Sequence, residues 1–349
     1  MAVVPIVSER FPSLMLITRP DRQADLRAPR TVQTGLPLAD SLRLVARLTD
    51  RDRWILRMVH EHRVLTTNQL AALAFPTRNL ARRRLAALHR ERVVDRFRPF
   101  KTSGSAPWHW VLAPDGAGVL AAEAGAEVRE LGYRPRRRLD IAHSLHLTHT
   151  LGVNDWFTTL AITATDHDAK VVAWWSESRC RRLWGDLARP DGYGRYTHAG
   201  IRLDFFLEYD LATTNSLTRV AAKLLGYAEL ARSTGIITPV LLWVPTGPRE
   251  LAARHALRDT AASLPDPAAV PVATAAADYL DTTATHPSPA DRVWLPIDST
   301  HTHRLHLHEL ADAWPHRTPT PQDESQDSPI TLGGKIMLPA PPPLFEHQS

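Results

Sequence analysis

Near residue 135 the chain changes rhythm. Before that point apolar residues recur at helical spacing in short runs. After it, β-prone runs and helical runs take turns. Such a chain has two kinds of core to bury, and its 349 residues are enough for two domains. The junction, Tyr133-Arg134-Pro135-Arg136-Arg137-Arg138, is basic and interrupted by proline, and reads as a linker over 131–139. Residues 1–40 and 313–349 carry no sustained periodicity, and the second stretch is rich in Pro, Ser and Asp, so both read as flexible arms. The folded parts are then 41–130 and 140–312.

Composition narrows the chemistry. Cys180 is the only cysteine, which excludes an intrachain disulfide, a multi-cysteine zinc site and a CxxC redox pair. The most apolar stretches, 111–122 and 236–244, are shorter than the ~18 residues that span a bilayer, so no membrane partner is expected. The first residues lack the basic start and uninterrupted apolar run of a signal peptide, and the expected location is cytoplasmic. Net charge is +5, compatible with a polyanionic partner without requiring one.

The first folded part reads as three short helices and a hairpin. Thr49 or Asp50 can cap a helix with Trp54, Ile55, Met58 and Val59 on one stripe. Thr66 or Thr67 can cap a second, ending before Pro76. The third runs from Thr77 to about Arg92, with Leu80, Leu85 and Leu88 inward. The β-prone runs 93–97 and 108–112 flank the turn-rich Thr102-Ser103-Gly104-Ser105. This is the order of a winged helix-turn-helix. Such a module sets its second helix-turn-helix helix in the major groove while flanking cations meet phosphates. From Arg78 to Lys101, nine cations stand against Glu91 and Asp95, a larger excess than that of the whole chain. Arg78, Arg82, Arg83, Arg84, Arg90, Arg96, Arg98 and Lys101 are the expected DNA-binding residues. The other reading is a protein-docking module whose arginines only face water.

The second part begins with a long helix from about 139 to 163. Strands at 171–175, 201–211 and 239–244 follow, with a Gly-rich loop from 189 to 200 before the second of them. Helices at 216–233 and 249–263 and short strands near 270–274 and 293–295 complete it. The alternation predicts a three-layer α/β domain with a mixed sheet.

The strand from Ile201 carries the most chemistry. With period two, Arg202, Asp204, Phe206, Glu208 and Asp210 share one side. Glu208 and Asp210 therefore project together near the strand's carboxyl end, where ligands collect in α/β sheets. Adjacent carboxylates repel unless a cation lies between them. Asp191 adds a third hard oxygen donor, and the set Asp191, Glu208 and Asp210 suits Mg2+ or Mn2+. On the following helix Arg219, Lys223 and Tyr227 recur at i, i+4 and i+8, so Lys223 could stabilise a phosphoryl transition state. The competing reading is a set of charges at a sheet edge, paired with Arg202, Arg219 and Lys223.

Other searches narrow the field. There is no GxxxxGK(S/T) loop, no GxGxxG after a strand and no GxSxG elbow, so no organic cofactor is expected. His143, His146 and His149 lie at i, i+3 and i+6 without an HExxH glutamate, a poor zinc geometry. His149 and Asp155 are expected to line the Glu208 cleft or to pack under the sheet.

Pro190-Asp191, then Glu208, then a lysine resembles the PD-(D/E)xK nuclease pattern, with the lysine moved from the second position after the glutamate, here Asp210, to the helix at Lys223. Further segments resemble actinobacterial replication-relaxation proteins: 48–56, 65–70, 82–88, His149 to Asp155, Arg189 to Gly192, Phe205 to Asp210, Lys223 with Tyr227, and Trp294 to Pro296. The likeness covers about 45–312 and departs at Leu211-Ala212-Thr213-Thr214, where the family carries Arg-Gly-Thr-Glu. The resemblances together imply a nuclease-like second domain, service to a plasmid or integrative element in replication or transfer, and DNA and that element's own proteins as partners. Two function classes follow. One is a DNA-binding protein that nicks DNA with Mg2+ or Mn2+ through Asp191, Glu208, Asp210 and Lys223. The other is a non-enzymatic transcriptional regulator or replication accessory with a degenerate nuclease fold.

Overall fold

Threonine side chains start each of the first three helices among the described residues. Thr49 caps α1 (Asp50–Glu61) and Thr66 caps α2 (Thr67–Ala74), each in a reciprocal box with the residue three further on, Asp52 and Gln69. Thr77 caps α3 (Arg78–Arg90) through the Leu80 amide. The computed structural model describes residues 46–99, 105–135, 140–144, 146–165, 168–185, 187–212, 216–278, 288–298, 302–318 and 328–345. These form two compact units: one holds the residues up to Asn154 and those from Ser328, the other those from Asp155 to Thr318. The expected first arm and residues 136–139 of the expected linker lie outside the described residues.

In the first unit α1 buries Trp54, Ile55, Met58 and Val59 as the stripe requires. Helix α3 buries Ala81, Leu85 and Leu88 at i, i+4 and i+7. Leu80, expected inward, is instead 47% exposed, because it sits about 100° around the helix from Ala81. Strand β2 (Val94–Phe97) pairs antiparallel with β3 (His109–Leu112), and the short β1 (Leu65–Thr66) joins the other side of β3. Helix α4 (Pro114–Glu123) follows.

The single helix expected from residue 139 is broken. A 3-10 turn, Asp140–His143, comes first. The Ser144 hydroxyl then accepts the His146 amide at 3.1 Å, and α5 (Leu147–Ala164) begins, so the three histidines do not share one helix. Ile141, Ala142, Leu147 and Leu151 close the first unit's core over Val64, Phe97 and Val111. The expected second arm is corrected for 328–345, which pack into the first unit. Strands β10 (Ile330–Leu332) and β11 (Lys335–Met337) form a hairpin, the Trp54 indole donates to the Pro342 carbonyl at 2.8 Å, and the Phe345 ring meets Trp54 edge-on. Buried Met337 and Leu338 give this Pro-rich segment the apolar anchor that its composition concealed.

The second unit is a six-stranded mixed sheet flanked by helices. Its strands are β4 (Ala169–Ser176), β5 (Gly192–His198), β6 (Ile201–Tyr209), β7 (Val240–Val244), β8 (Val272–Ala276) and β9 (Leu295–Pro296), in that spatial order. Only β6–β7 and β7–β8 are parallel. The segment expected as a Gly-rich loop is therefore mostly strand β5. It turns back into β6 at Ala199-Gly200, both at positive φ. Its glycines admit aromatic rings instead of forming loop: a Cβ on Gly194 would lie 2.3 Å from the Phe205 ring.

Neighbouring residues on β6 sort the helices. Phe205 meets Trp156 and Phe157 of α5, whereas Phe206 meets Tyr227 of α7 (Ser216–Thr234) and Trp184 of α6 (Glu177–Trp184). Helix α5 thus covers one face of the sheet, and α6 with α7 the other. Gly235, at φ +70°, ends α7, and α8 (Gly247–Ala262) connects β7 to β8. Arg254 of α8 ties down β9 by donating to the Leu295 and Pro296 carbonyls. A short helix, α9 (Leu310–Ala313), closes the unit.

Candidate functional site

Two groups of side chains matter, one in each unit. In the first unit, the arginines of α3 separate by job. Arg84 is held by the buried Asp52, with Nε donating at 2.7 Å and a second guanidinium nitrogen completing the fork. Burial opposes the Asp52 charge, but hydrogen bonds from Arg84 and Thr49 outweigh it and keep the carboxyl below its ordinary value. Arg84, expected among the DNA-binding residues, therefore braces α3 against α1. Arg78, Arg82, Arg83 and Arg90 have no hydrogen bond or ion pair among the described residues, and Arg82, Arg83 and Arg90 are exposed. On the hairpin, Arg96 and Arg98 lie over the Trp108 ring at 4.0 and 4.1 Å from its centroid. Lys101 lies outside the described residues.

In the second unit, β6 presents Glu208 on the same face as Phe206, toward α7. Glu208 is 1% exposed. One of its oxygens accepts from Lys223 Nζ at 2.6 Å, and the other accepts from the Tyr227 hydroxyl. Asp191, just ahead of β5, lies 3.6 Å from the same Nζ and accepts the Tyr209 amide at 2.8 Å. Gly226 brings this turn of α7 close to the chain before Asp191, since a Cβ there would lie 2.0 Å from the Leu187 carbonyl. Asp191, Glu208, Lys223 and Tyr227, all named from spacing, therefore meet at one place.

Asp210 does not join them. Arg249, in the first turn of α8, holds its carboxylate through Nε at 2.6 Å, and the Ala212 amide adds a bond at 3.1 Å. The backbone is still tied to β7 there, since the Asp210 amide donates to the Trp243 carbonyl at 2.9 Å, and it is the first turn of α8 that delivers Arg249 to its carboxylate. Arg219 is exposed, without a partner among the described residues. The Asp155 charge falls near Tyr209, whose phenol burial and that charge together raise. His149 belongs to the first unit and is partly exposed. Arg249 was missed because a residue 39 positions from its partner leaves no local pattern.

Burial pushes Glu208 up to about 7 against the pull of Lys223, and the Asp191 charge adds to the rise. For Lys223, burial works against the ammonium, but Glu208 and Asp191 hold its pKa above the ordinary value. Burial and the Glu208 charge keep the Tyr227 phenol protonated, as a donor. The cluster is thus a carboxylate pair converging on one cation position, with one carboxyl poised to take a proton near neutrality. Among the described residues no three His, Cys, Asp or Glu side chains are grouped to hold a metal. No helix among them is long and apolar enough to cross a membrane.

The sequence profile described as replication-relaxation matches residues 56–241. No curated protein and no solved structure matches the chain significantly.

Proposed function

The chain belongs to the replication-relaxation family, and from that premise we propose that it is a DNA-binding protein serving the replication or transfer of a plasmid or integrative element. In this reading the first unit is a winged helix that holds duplex DNA, and the second is a three-layer, PD-(D/E)xK-like domain. The observation that carries it is the division of labour on α3. One arginine is committed to the core by Asp52, while Arg78, Arg82, Arg83 and Arg90 keep unneutralised guanidiniums on the helix that a winged helix sets in the major groove.

Binding that rests on these cations weakens with salt as counterions are released. A log–log slope of roughly −3 to −6 is expected for a duplex, falling by about two in Arg82→Ala/Arg83→Ala. Fluorescence anisotropy across a salt series measures both. Duplex affinity that is absent, or indifferent to salt, would leave the first unit as a protein-docking module.

A second reading, metal-dependent nicking, is supported by the convergence of Asp191, Glu208 and Lys223. Mg2+ or Mn2+ would be held by Asp191 and Glu208 and would supply Lewis-acid chemistry at a phosphodiester. The residues fit that ion in part: the two carboxylates share a focus, but the Lys223 ammonium takes it, and Asp210 is committed to Arg249. Nicking of supercoiled plasmid in Mg2+ or Mn2+ that disappears in Glu208→Ala is the expected result for this reading. Wild-type protein that shifts DNA yet never cuts with either metal favours the non-enzymatic accessory.

A further inference from the structure

We propose that Trp108 sets Arg96 and Arg98 as a paired guanidinium clamp on the phosphodiester backbone of duplex DNA, making the indole a positioning residue of the nucleic-acid surface. The inference rests on the DNA-binding reading above and adds the group that the hairpin grips and the residue that readies it.

The register of the hairpin builds the clamp. Arg96 lies opposite Trp110 and Phe97 opposite His109, so Arg98 falls opposite Trp108, and alternation places Arg96, Arg98, Trp108 and Trp110 on one face. Arg96 lies over Trp108 and is also 5.5 Å from the centroid of Trp110, whose own Nε1 is bonded to the Thr67 hydroxyl. Arg98 lies over Trp108. The carbonyl of Trp108 accepts the Thr67 amide at 2.9 Å, which ties the main chain that carries the indole to the start of α2. One anchored ring thus holds two cations.

That arrangement costs free energy unless an anion relieves it. Like charges on one ring repel, and burial and the Arg98 charge lower the Arg96 pKa, although the Asp95 charge partly offsets them. Neither guanidinium has a carboxylate or other hydrogen-bonding partner among the described residues. The nearest acid, Asp95, accepts the Arg96 backbone amide and lies 3.7 Å from His89, on the other side of the strand. Arg98 Nε is buried without an acceptor, an arrangement that folded proteins rarely leave unexplained. The terminal nitrogens of the two guanidiniums, and not the enclosed Arg98 Nε, are the donors that a phosphate oxygen would meet. Because two guanidiniums already occupy the ring, Trp108 is poorly placed to stack an unpaired base, which favours duplex backbone over a single strand. Ordering the two arginines before binding reduces the rotamer entropy lost on contact.

The test compares wild type, Trp108→Ala, Trp108→Phe, Arg96→Gln/Arg98→Gln and Arg82→Ala/Arg83→Ala in duplex and single-strand anisotropy titrations over a salt series. Trp108→Ala is expected to weaken duplex binding about five- to tenfold and to flatten the log–log slope by about one, although it removes no charge. Trp108→Phe, which keeps a ring face, should recover most of both. The double glutamine variant keeps the indole and should lose at least as much. A Trp108→Ala or double glutamine protein with unchanged affinity and slope, beside a weakened Arg82→Ala/Arg83→Ala, overturns the clamp and leaves the DNA-binding reading standing. Wild-type protein that binds no duplex at any salt overturns both. Tighter binding to single strands, lost in Trp108→Ala, overturns the clamp in favour of base stacking.

Discussion

Replacing Asp52 by alanine will lower the stability of the first unit by about 3 kcal/mol. Asp52 is fully buried and does two jobs at once. Its carboxylate accepts the Thr49 amide at 2.8 Å, completing the capping box of α1, and holds Arg84 of α3 in a fork. Alanine leaves Thr49 as the N-cap but removes the carboxylate half of the box and strands a guanidinium. Arg84 keeps 33% of its side chain in water, so the loss falls below that of a fully buried broken pair. Asn in place of Asp keeps a capping acceptor but not the charge, and should lose about half as much. The same carboxylate sets an acid limit. Its folded pKa lies below the unfolded one, so its contribution is present above the ordinary value of 3.8 and disappears as pH falls through the folded value. Urea unfolding with hydrogen exchange at α1 and α3 measures the effect. An Asp52→Ala midpoint indistinguishable from wild type would show that the fork adds nothing.

Asp52 also shows how far the sequence could be read. Its place in an N-terminal capping position is local and visible, since threonine followed three residues later by an acid is a helix-start pattern. Its bond to Arg84 is not, because an arginine within a run of three gives no sign of which member faces the core. The same contrast runs through the second unit. Glu208, Lys223 and Tyr227 were legible because strand alternation and helix periodicity each fix direction over several residues. Asp210 was assigned to the Glu208 group because its partner, Arg249, is brought to it only when β7 and α8 fold back beside β6. Gly192 and Gly194 suggested loop, yet they lie under Phe157 and Phe205, a tertiary reason for glycine that no local pattern encodes. The tail from Ser328 was lost among prolines because its anchors, Met337, Leu338 and Phe345, are few and widely spaced.

The second large effect is expected at Lys223, and its size should depend on pH. Glu208 has a folded pKa of about 7, above its ordinary 4.5, so the protonated group adds stability that is complete below the lower value and is lost as pH rises through the upper one. Lys223 limits that loss, because its ammonium, 2.6 Å from the carboxylate, favours the charged form. Without it the folded value climbs further, and the loss continues to higher pH. Lys223→Ala should therefore cost little near pH 5, where Glu208 is already an acid in the folded state, and about 2 kcal/mol near pH 8.5. The side chain of Lys223 is 31% exposed, which keeps the cost below that of breaking a fully buried pair. In a Glu208→Gln background the group that titrates near 7 is gone, so the same substitution should lose its pH dependence. Urea titrations of the four proteins at the two pH values form a double-mutant cycle. Equal losses at both pH values would mean that Lys223 holds α7 by packing alone, and the carboxylate pair would then lack the cation on which both readings of the cluster depend.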